Sequence, residues 1–563
     1  MRTSQRIRWV FRLLAVAMVA VRLIVARNQL TPDGISYIEI ARAYLRHDWA
    51  MTVNAYWGPL FAWLLVPVLG IFKPSIRWEI PMTHLLQFFV FLGGLAAFEF
   101  FWANLLMAGG ETEPSTTQRP SVLPNEILWA LGYSFFLWTT LPEIVSLINP
   151  DLLLFVEVLL IAGILCQTSH VPAKRWWWYI SLGLLLGAGY LTKAVMFPVG
   201  FAILVISFVC SRERRHALRL TVAGLVFLTV ALPEVTLLSH TKGRLTFSDT
   251  GKLAFAWFTY GLPRINWQGT EPDSGIPRHP TRKIHEHPPV YEFRGPIRAT
   301  YPPWYDPSYW NDGMSPRLKP MSVVKHAVHG LIAVACDFVF LVPWVIGVGL
   351  LLISCNIKRS LQAMHTASTW ILPTVSILAC GMYSLTLVSS RYLAAWELLF
   401  WGGILVSLRG IRLSLRACRV LGATIAITVT ISTVIYVRHL EVIHGPRDDA
   451  GKEYAMAETL KKMGMRPGDK VASIAYGEQV QWAHLDQLSI VTEVSPADIC
   501  KFWNAGPAVQ DEVLKKFAEA GAQAVIANAG GGVRVGTIDL TCVHPNSDWQ
   551  RIDGSLDYVR LLH

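Results

Sequence analysis

The chain has 563 residues, 53% hydrophobic and only 16% charged, whereas soluble chains carry about a quarter charged residues. This composition excludes a soluble multidomain enzyme and describes a polytopic membrane protein. The net charge of +11 lies in short loops between apolar runs, a placement that reads as topology and contact with anionic lipid rather than with nucleic acid.

The first apolar run, Trp9 to Ala26, follows Arg2, Arg6 and Arg8 and lacks a small-residue cleavage motif, so it reads as a retained helix with its N-terminus inside. The next segment, Thr31 to Pro59, is then outside. Thr31 suits an N-cap, Pro32 a first helical turn, and Asp33 the positive end of the helix dipole. Tyr37, four residues on, shares the face of Asp33. The apolar stretch Leu60 to Phe72 is too short to span and reads as lying in the outer interface.

Further spans are expected over Met82–Met107, Ile127–Ser146 and Leu152–Cys166, with an inside loop at 108–124 and an inside turn at Lys174 and Arg175. Trp176 to Cys210 would make a single helix of about 50 Å, too long for a hydrocarbon core of about 30 Å. It must be a hairpin broken near Lys193, and Ser368 to Leu408 must likewise break at Ser389, Ser390 and Arg391. Basic clusters at Arg212–Arg219, Lys358–Arg359 and Arg409–Arg419 mark inside turns. A helix over Leu220–Leu238 leads to an outer segment, 239–320, rich in aromatics and prolines. With about eleven spans, the membrane domain covers 1–437, with outer loops at 27–81 and 239–320.

The tail, 438–563, reads as an extracytoplasmic α/β domain. Helices are expected over Tyr454–Met463 and Ala508–Ala520, and strands over Lys470–Tyr476 and Ala522–Ala527. Asn528 to Gly536 is glycine-rich without phosphate-loop spacing and reads as a surface loop. Of the eight cysteines, Cys500 and Cys542 alone fall in this region, as a disulfide or as two thiols.

Charges near a bilayer carry information because burying them costs several kcal/mol. Asp151 opens a span on the outer side, and Lys193 and Arg391 break the positive-inside trend there. Two cations of this kind suit a phosphate-bearing lipid, and a carboxylate suits a general base. Glu99, Glu157, Asp337 and Glu397 lie inside spans and read as structural pairs. No spacing fixes a metal site: His279, His285 and His287 define no geometry, no cofactor is indicated, and a divalent cation remains open.

Several motifs together resemble the membrane-embedded GT-C glycosyltransferases, above all the protein mannosyltransferases and aminoarabinose transferases. They are Asp33-Gly34-Ile35-Ser36-Tyr37, Tyr56-Trp57-Gly58-Pro59, Asn149-Pro150-Asp151 and Leu191-Thr192-Lys193, with weaker support at Ser390-Arg391-Tyr392. Gly34 stands where many members carry Glu. The resemblance implies a polytopic helical bundle, a polyprenyl-phosphate sugar donor, inversion at the anomeric carbon and Asp33 as catalytic base. Tyr37, Tyr56, Trp57, Asp151, Lys193 and Arg391 would then contact substrate at the outer face of a bacterial-type inner membrane. The acceptor, whether lipid, glycan or protein, does not follow. Two other classes stay open on the residues alone: a transporter or lipid flippase, and a non-catalytic scaffold with a periplasmic domain.

Overall fold

The structure is a computed structural model. It describes the whole chain except residues 1–2, 109–124, 142, 171–174, 210–213, 270–273, 341–369, 408–414, 444–448, 529–541, 554, 556 and 563. The expected inside loop at 108–124, the basic turns at 358–359 and 409–412, and the glycine-rich loop after Asn528 lie almost wholly outside the described residues.

The chain forms two compact units that do not follow chain order. The first comprises 1–26, 84–255 and 319–443; the second comprises 27–83, 256–318 and 444–563. The first is helical. Among the described residues four helices are long and apolar enough to cross a membrane: Ser4–Ala26, Ile76–Ala108, Asp151–Thr168 and Ala217–Lys242. Shorter apolar helices include Met196–Val209 and Ile371–Ser384. The protein is thus a multi-pass membrane protein.

Both long apolar runs are broken as their length requires. Trp177–Thr192 and Met196–Val209 form one hairpin, with Lys193 in extended conformation (φ −147°, ψ 129°) ending the first helix. Ile371–Ser384 and Ser390–Ser407 form the other. The helix Trp177–Thr192 lies close on Arg214–Lys242 because its contact face carries Gly183 and Gly187. A Cβ at Gly183 would come within 2.4 Å of the Ala223 carbonyl oxygen, and one at Gly187 within 2.5 Å of Val230. Without a hydrophobic drive between helices in lipid, such close approach supplies the packing that holds them.

Of the acids expected to be paired inside this unit, only Glu99 has cationic partners among the described residues; Glu157 and Asp337 accept from neutral hydroxyls, and one oxygen of Glu397 has no hydrogen-bond partner. Glu99 accepts from Arg8 at 2.8 Å and also from Arg12 and Tyr133. Thr192 donates to Glu157 at 2.9 Å, and Ser390 donates to Asp337 at 2.8 Å.

The second unit is built on a mixed seven-stranded sheet. Its strands are β1 (Arg282–His285), β2 (Val290–Glu292), β3 (Lys470–Ile474), β4 (Ser489–Val494), β5 (Ala524–Ala527), β6 (Gln550–Arg551) and β7 (Tyr558–Leu561), in the order β1-β2-β4-β3-β5-β7-β6. Only β4-β3-β5 is parallel. The β3 pattern, exposed at Lys470 and then buried for four residues, is that of a central strand covered on both faces. Helix Pro507–Glu519 turns Val513, Leu514 and Phe517 inward against Trp503, Trp549 and Val525. Cys500 and Cys542 are joined in a disulfide with Cα atoms 5.4 Å apart.

The hairpin β1–β2 comes from the long aromatic segment rather than from the tail. Its strand β2 adds antiparallel to β4, with Tyr291 opposite Glu493 and Glu292 opposite Thr492. Helix Pro32–Leu45 joins the same unit. Leu30 donates its N–H to Gln481 Oε1 at 3.1 Å, and Gln481 Nε2 donates to the Asn28 carbonyl at 2.9 Å.

Candidate active site

The residues singled out by sequence fall into two groups, one in each unit. In the second unit the helix carrying Asp33 begins as its sequence dictates. Thr31 is the N-cap (φ −90°, ψ 158°), its Oγ1 accepts from the Gly34 N–H at 3.2 Å, and Pro32 takes the first helical position. Asp33 therefore projects from the first turn, where the free N–H groups and the dipole favour its charge. It is half-buried and accepts a hydrogen bond from the indole Nε1 of Trp304 at 3.2 Å.

Three aromatic rings surround that indole. Trp57 lies 5.9 Å from Trp304, Tyr56 6.0 Å and Trp257 6.3 Å, between ring centroids. Arg264 covers the Trp304 ring at 5.5 Å, and its guanidinium is held by Glu478 at 3.0 Å. The side chain of Asn54 sets Tyr56 and Trp57 in place. Its Oδ1 accepts from both their backbone N–H groups, at 2.9 and 3.0 Å, while its Nδ2 donates to the Tyr305 carbonyl at 2.7 Å. The Trp57 indole donates to the Trp304 carbonyl at 3.2 Å, and Ser36 donates to that same carbonyl at 3.0 Å. Tyr37, only 1% exposed, packs its ring on Trp57 and Phe61.

Two buried acid clusters underlie this arrangement. His484 lies between Glu79 (2.8 Å) and Glu39 (3.6 Å). Burial alone would lower its pKa, but the hydrogen bond to Glu79 and the nearby Glu39 carboxylate outweigh that and raise it. Glu493 accepts from Asn266 at 2.6 Å and from Tyr301 at 3.0 Å, and burial pushes its carboxyl up to about 7 against those hydrogen bonds.

In the first unit, Asp151, Lys193 and Arg391 come together. Asp151 is 4% exposed, and its two oxygens are divided between the cations: Oδ1 to Lys193, and Oδ2 to Arg391 Nε at 3.5 Å. Asn149 fixes the turn that presents it, its Oδ1 accepting from the Asp151 N–H at 3.0 Å. Lys193 and Arg391 both face the ring of Tyr392, at 3.8 and 4.9 Å from its centroid. A shared carboxylate and a shared π face hold two like charges side by side, which without them would repel. Both cations keep a fifth of their side chains exposed, 22% for Lys193 and 19% for Arg391. The backbone N–H of Arg391 donates to Glu143, so a second acid faces the cluster.

Sequence reasoning did not find Trp304, Trp257, Arg264 or Glu143. Aromatics are dense throughout 256–318, and no spacing marks the one indole that reaches Asp33. Glu143 was hidden within a segment expected to be helical; the helix stops at Thr140 and Glu143 precedes a 3-10 turn, Ile144–Ser146. The imidazole of His279 stacks on Tyr309 at 4.0 Å, His285 Nδ1 lies 2.8 Å from the Pro288 carbonyl, and among the described residues no group of three or more metal-binding side chains is present.

No family model matches the chain, and no curated protein matches it. Solved structures do. The crystal structure of ArnT from Cupriavidus metallidurans bound to undecaprenyl phosphate aligns with a TM-score of 0.49 at 13% identity, over 92% of each chain. Its apo state aligns at 0.47 and 13% identity, over 91% of this chain and 92% of that one. The Archaeoglobus fulgidus oligosaccharyltransferase in its apo form aligns at 0.44 and 11% identity, over 92% of this chain and 69% of that one.

Proposed function

We propose that the protein is an integral-membrane glycosyltransferase that moves a sugar from a polyprenyl-phosphate donor to an acceptor at the outer face of the inner membrane. The observation that carries this reading is the niche of Asp33: a carboxylate on a capped helix start, oriented by an indole N–H and walled by aromatic rings. Flat rings of this kind stack on the apolar faces of sugars, and the hydrogen bond from the Trp304 indole orients the carboxylate.

Asp33 takes the proton of the acceptor hydroxyl as that oxygen bonds to the anomeric carbon, from the face opposite the departing phosphate. The bond from the anomeric carbon to the phosphate oxygen breaks, the configuration inverts, and the lipid phosphate leaves with the electron pair. Lys193 and Arg391 stabilise that charge, Arg391 through a fork suited to phosphate. Asp151 acts through them, keeping both cations aligned. Tyr56 and Trp57 contact the sugar. The tail and the segment 239–320 are extracytoplasmic in this reading, and the N-terminus is cytoplasmic.

Replacing Asp33 by Asn keeps the shape and the hydrogen bond from Trp304 but removes the base. Transfer from a polyprenyl-phosphate sugar in membrane vesicles should fall by about 10²–10⁴-fold, with unchanged abundance and thermal stability of the protein. Transfer at the wild-type rate overturns the mechanism.

A further inference from the structure

The helix Pro32–Leu45 has a second functional face. At about 100° per residue, Glu39, Arg42 and Arg46 lie roughly opposite Asp33, and there they line a cleft of ≈ 1000 Å³ contained within the sheet unit. Asp33 is not part of its wall. The volume is at the upper end of those that enclose drug-sized ligands, about 300–1000 Å³.

The charges of the wall are unevenly matched. Its acids are mostly engaged: Glu292 pairs with Arg282, Glu519 with Lys516 at 2.9 Å, and Glu39 accepts from the Thr300 N–H at 3.1 Å. Arg42 is taken by Glu79. Arg46, Arg294, Arg298 and Lys470 line the same cleft, are exposed, and have no ion-pair partner among the described residues. Asp48 is the one wall carboxylate left to offset them.

Two of these cations stand on a braced loop. The segment Arg294–Ala299 leaves the sheet after β2 and is tied back to β4 at both ends. Phe293 donates its N–H to the Val491 carbonyl at 2.9 Å on one side. On the other, Ile490 N–H donates to the Thr300 carbonyl at 2.9 Å and Ser489 Oγ to the Ala299 carbonyl at 2.9 Å. Gly295 lets the loop lie against Trp310, where a Cβ would sit 3.2 Å from the ring. Holding Arg294 and Arg298 in this way lowers the entropy lost when they bind an anion.

We propose that this cleft is a binding site for an anionic saccharide, separate from the reacting groups, with phosphate or carboxylate oxygens taken by Arg46, Arg294, Arg298 and Lys470. Guanidinium forks match both kinds of oxyanion. Asp48, Gln487 and Ser489 supply acceptors and donors for sugar hydroxyls. The wall is too polar to hold acyl chains, which favours a saccharide over a lipid headgroup.

The test is equilibrium binding to the purified full chain in detergent micelles, using trigalacturonic acid, glucose 1,6-bisphosphate, neutral maltotriose and a short-chain phosphatidylglycerol. At least one of the two anionic sugars should bind saturably, more weakly as salt rises, and maltotriose should not. The double variant Arg294→Ala/Arg298→Ala should weaken binding at least tenfold, and Arg294→Lys/Arg298→Lys less. Binding by trigalacturonic acid alone assigns the site to carboxylates, and by the bisphosphate alone to phosphates; either supports the proposal. Binding of phosphatidylglycerol without either sugar overturns it, as does binding of neither sugar or binding unchanged in the alanine variant. Asp33→Asn should bind as the wild type does, so this result stands or falls apart from sugar transfer.

Discussion

The two units place charge by opposite rules. In the helical unit Asp151, Lys193 and Arg391 satisfy one another at the ends of helices, where an unpaired charge would face hydrocarbon. In the sheet unit Asp33 takes an indole donor from a distant part of the chain, and cations such as Arg294 stand without an acid partner among the described residues. Burial favours a partner for each of these charges, and exposure leaves a cation such as Arg294 available for a ligand. In the proposed reaction the base, Asp33, is half-buried in the sheet unit, and the cations Lys193 and Arg391 come from the helical one with their own counter-charge.

The contrast can be broken most severely at Asp151. Asp151→Asn should leave Lys193 and Arg391 facing each other without their shared anion and destabilise the helical unit by about 3–5 kcal/mol, seen as a lower melting temperature in micelles. An unchanged melting temperature would mean that the two cations do not depend on Asp151. The sheet unit should answer to pH instead. Glu493 has a folded pKa raised to about 7 by burial, so it favours folding below the ordinary carboxylate range and loses that contribution as pH rises through about 7. Glu493→Gln should raise stability at pH 8 by up to about 3 kcal/mol and leave it nearly unchanged at pH 4. A variant equally stable at both pH values relative to wild type would contradict a buried, proton-holding Glu493. The smallest expected effect is at Trp304→Phe, which keeps a ring but deletes the N–H to Asp33. Loss of a hydrogen bond to a charged group, about 1.5–3 kcal/mol, should lower transfer roughly ten- to a hundredfold while preserving donor affinity. Full activity would show that Asp33 needs no orienting partner.

Local and length-determined features were legible in the sequence. Thr31, Pro32 and Asp33 write a helix start in three residues, and the breaks at Lys193 and Ser390 follow from spans too long for the bilayer. That Asp151, Lys193 and Arg391 gather follows from their shared departure from the charge rule. The fold of the aromatic segment 256–318 was not legible, because its organisation is non-local. Val290–Glu292 joins the sheet through β4, which lies nearly two hundred residues later in the chain, and Ser489–Val494 is too short and too mixed to stand out. Trp304 reaches Asp33 across a separation of 271 residues, and nothing in its own neighbourhood records that.

The seating of β2 on β4 also sets an order in time. The hairpin Arg282–Glu292 is made long before Ser489–Val494. At about 5–20 residues per second, a ribosome needs roughly 10–40 s to cover the interval. For that period the edge of β2 has no mate, and the aromatic segment between Trp257 and Trp304 cannot take its final support. The niche of Asp33 is therefore completed only once β4 has been made, long after Asp33 itself.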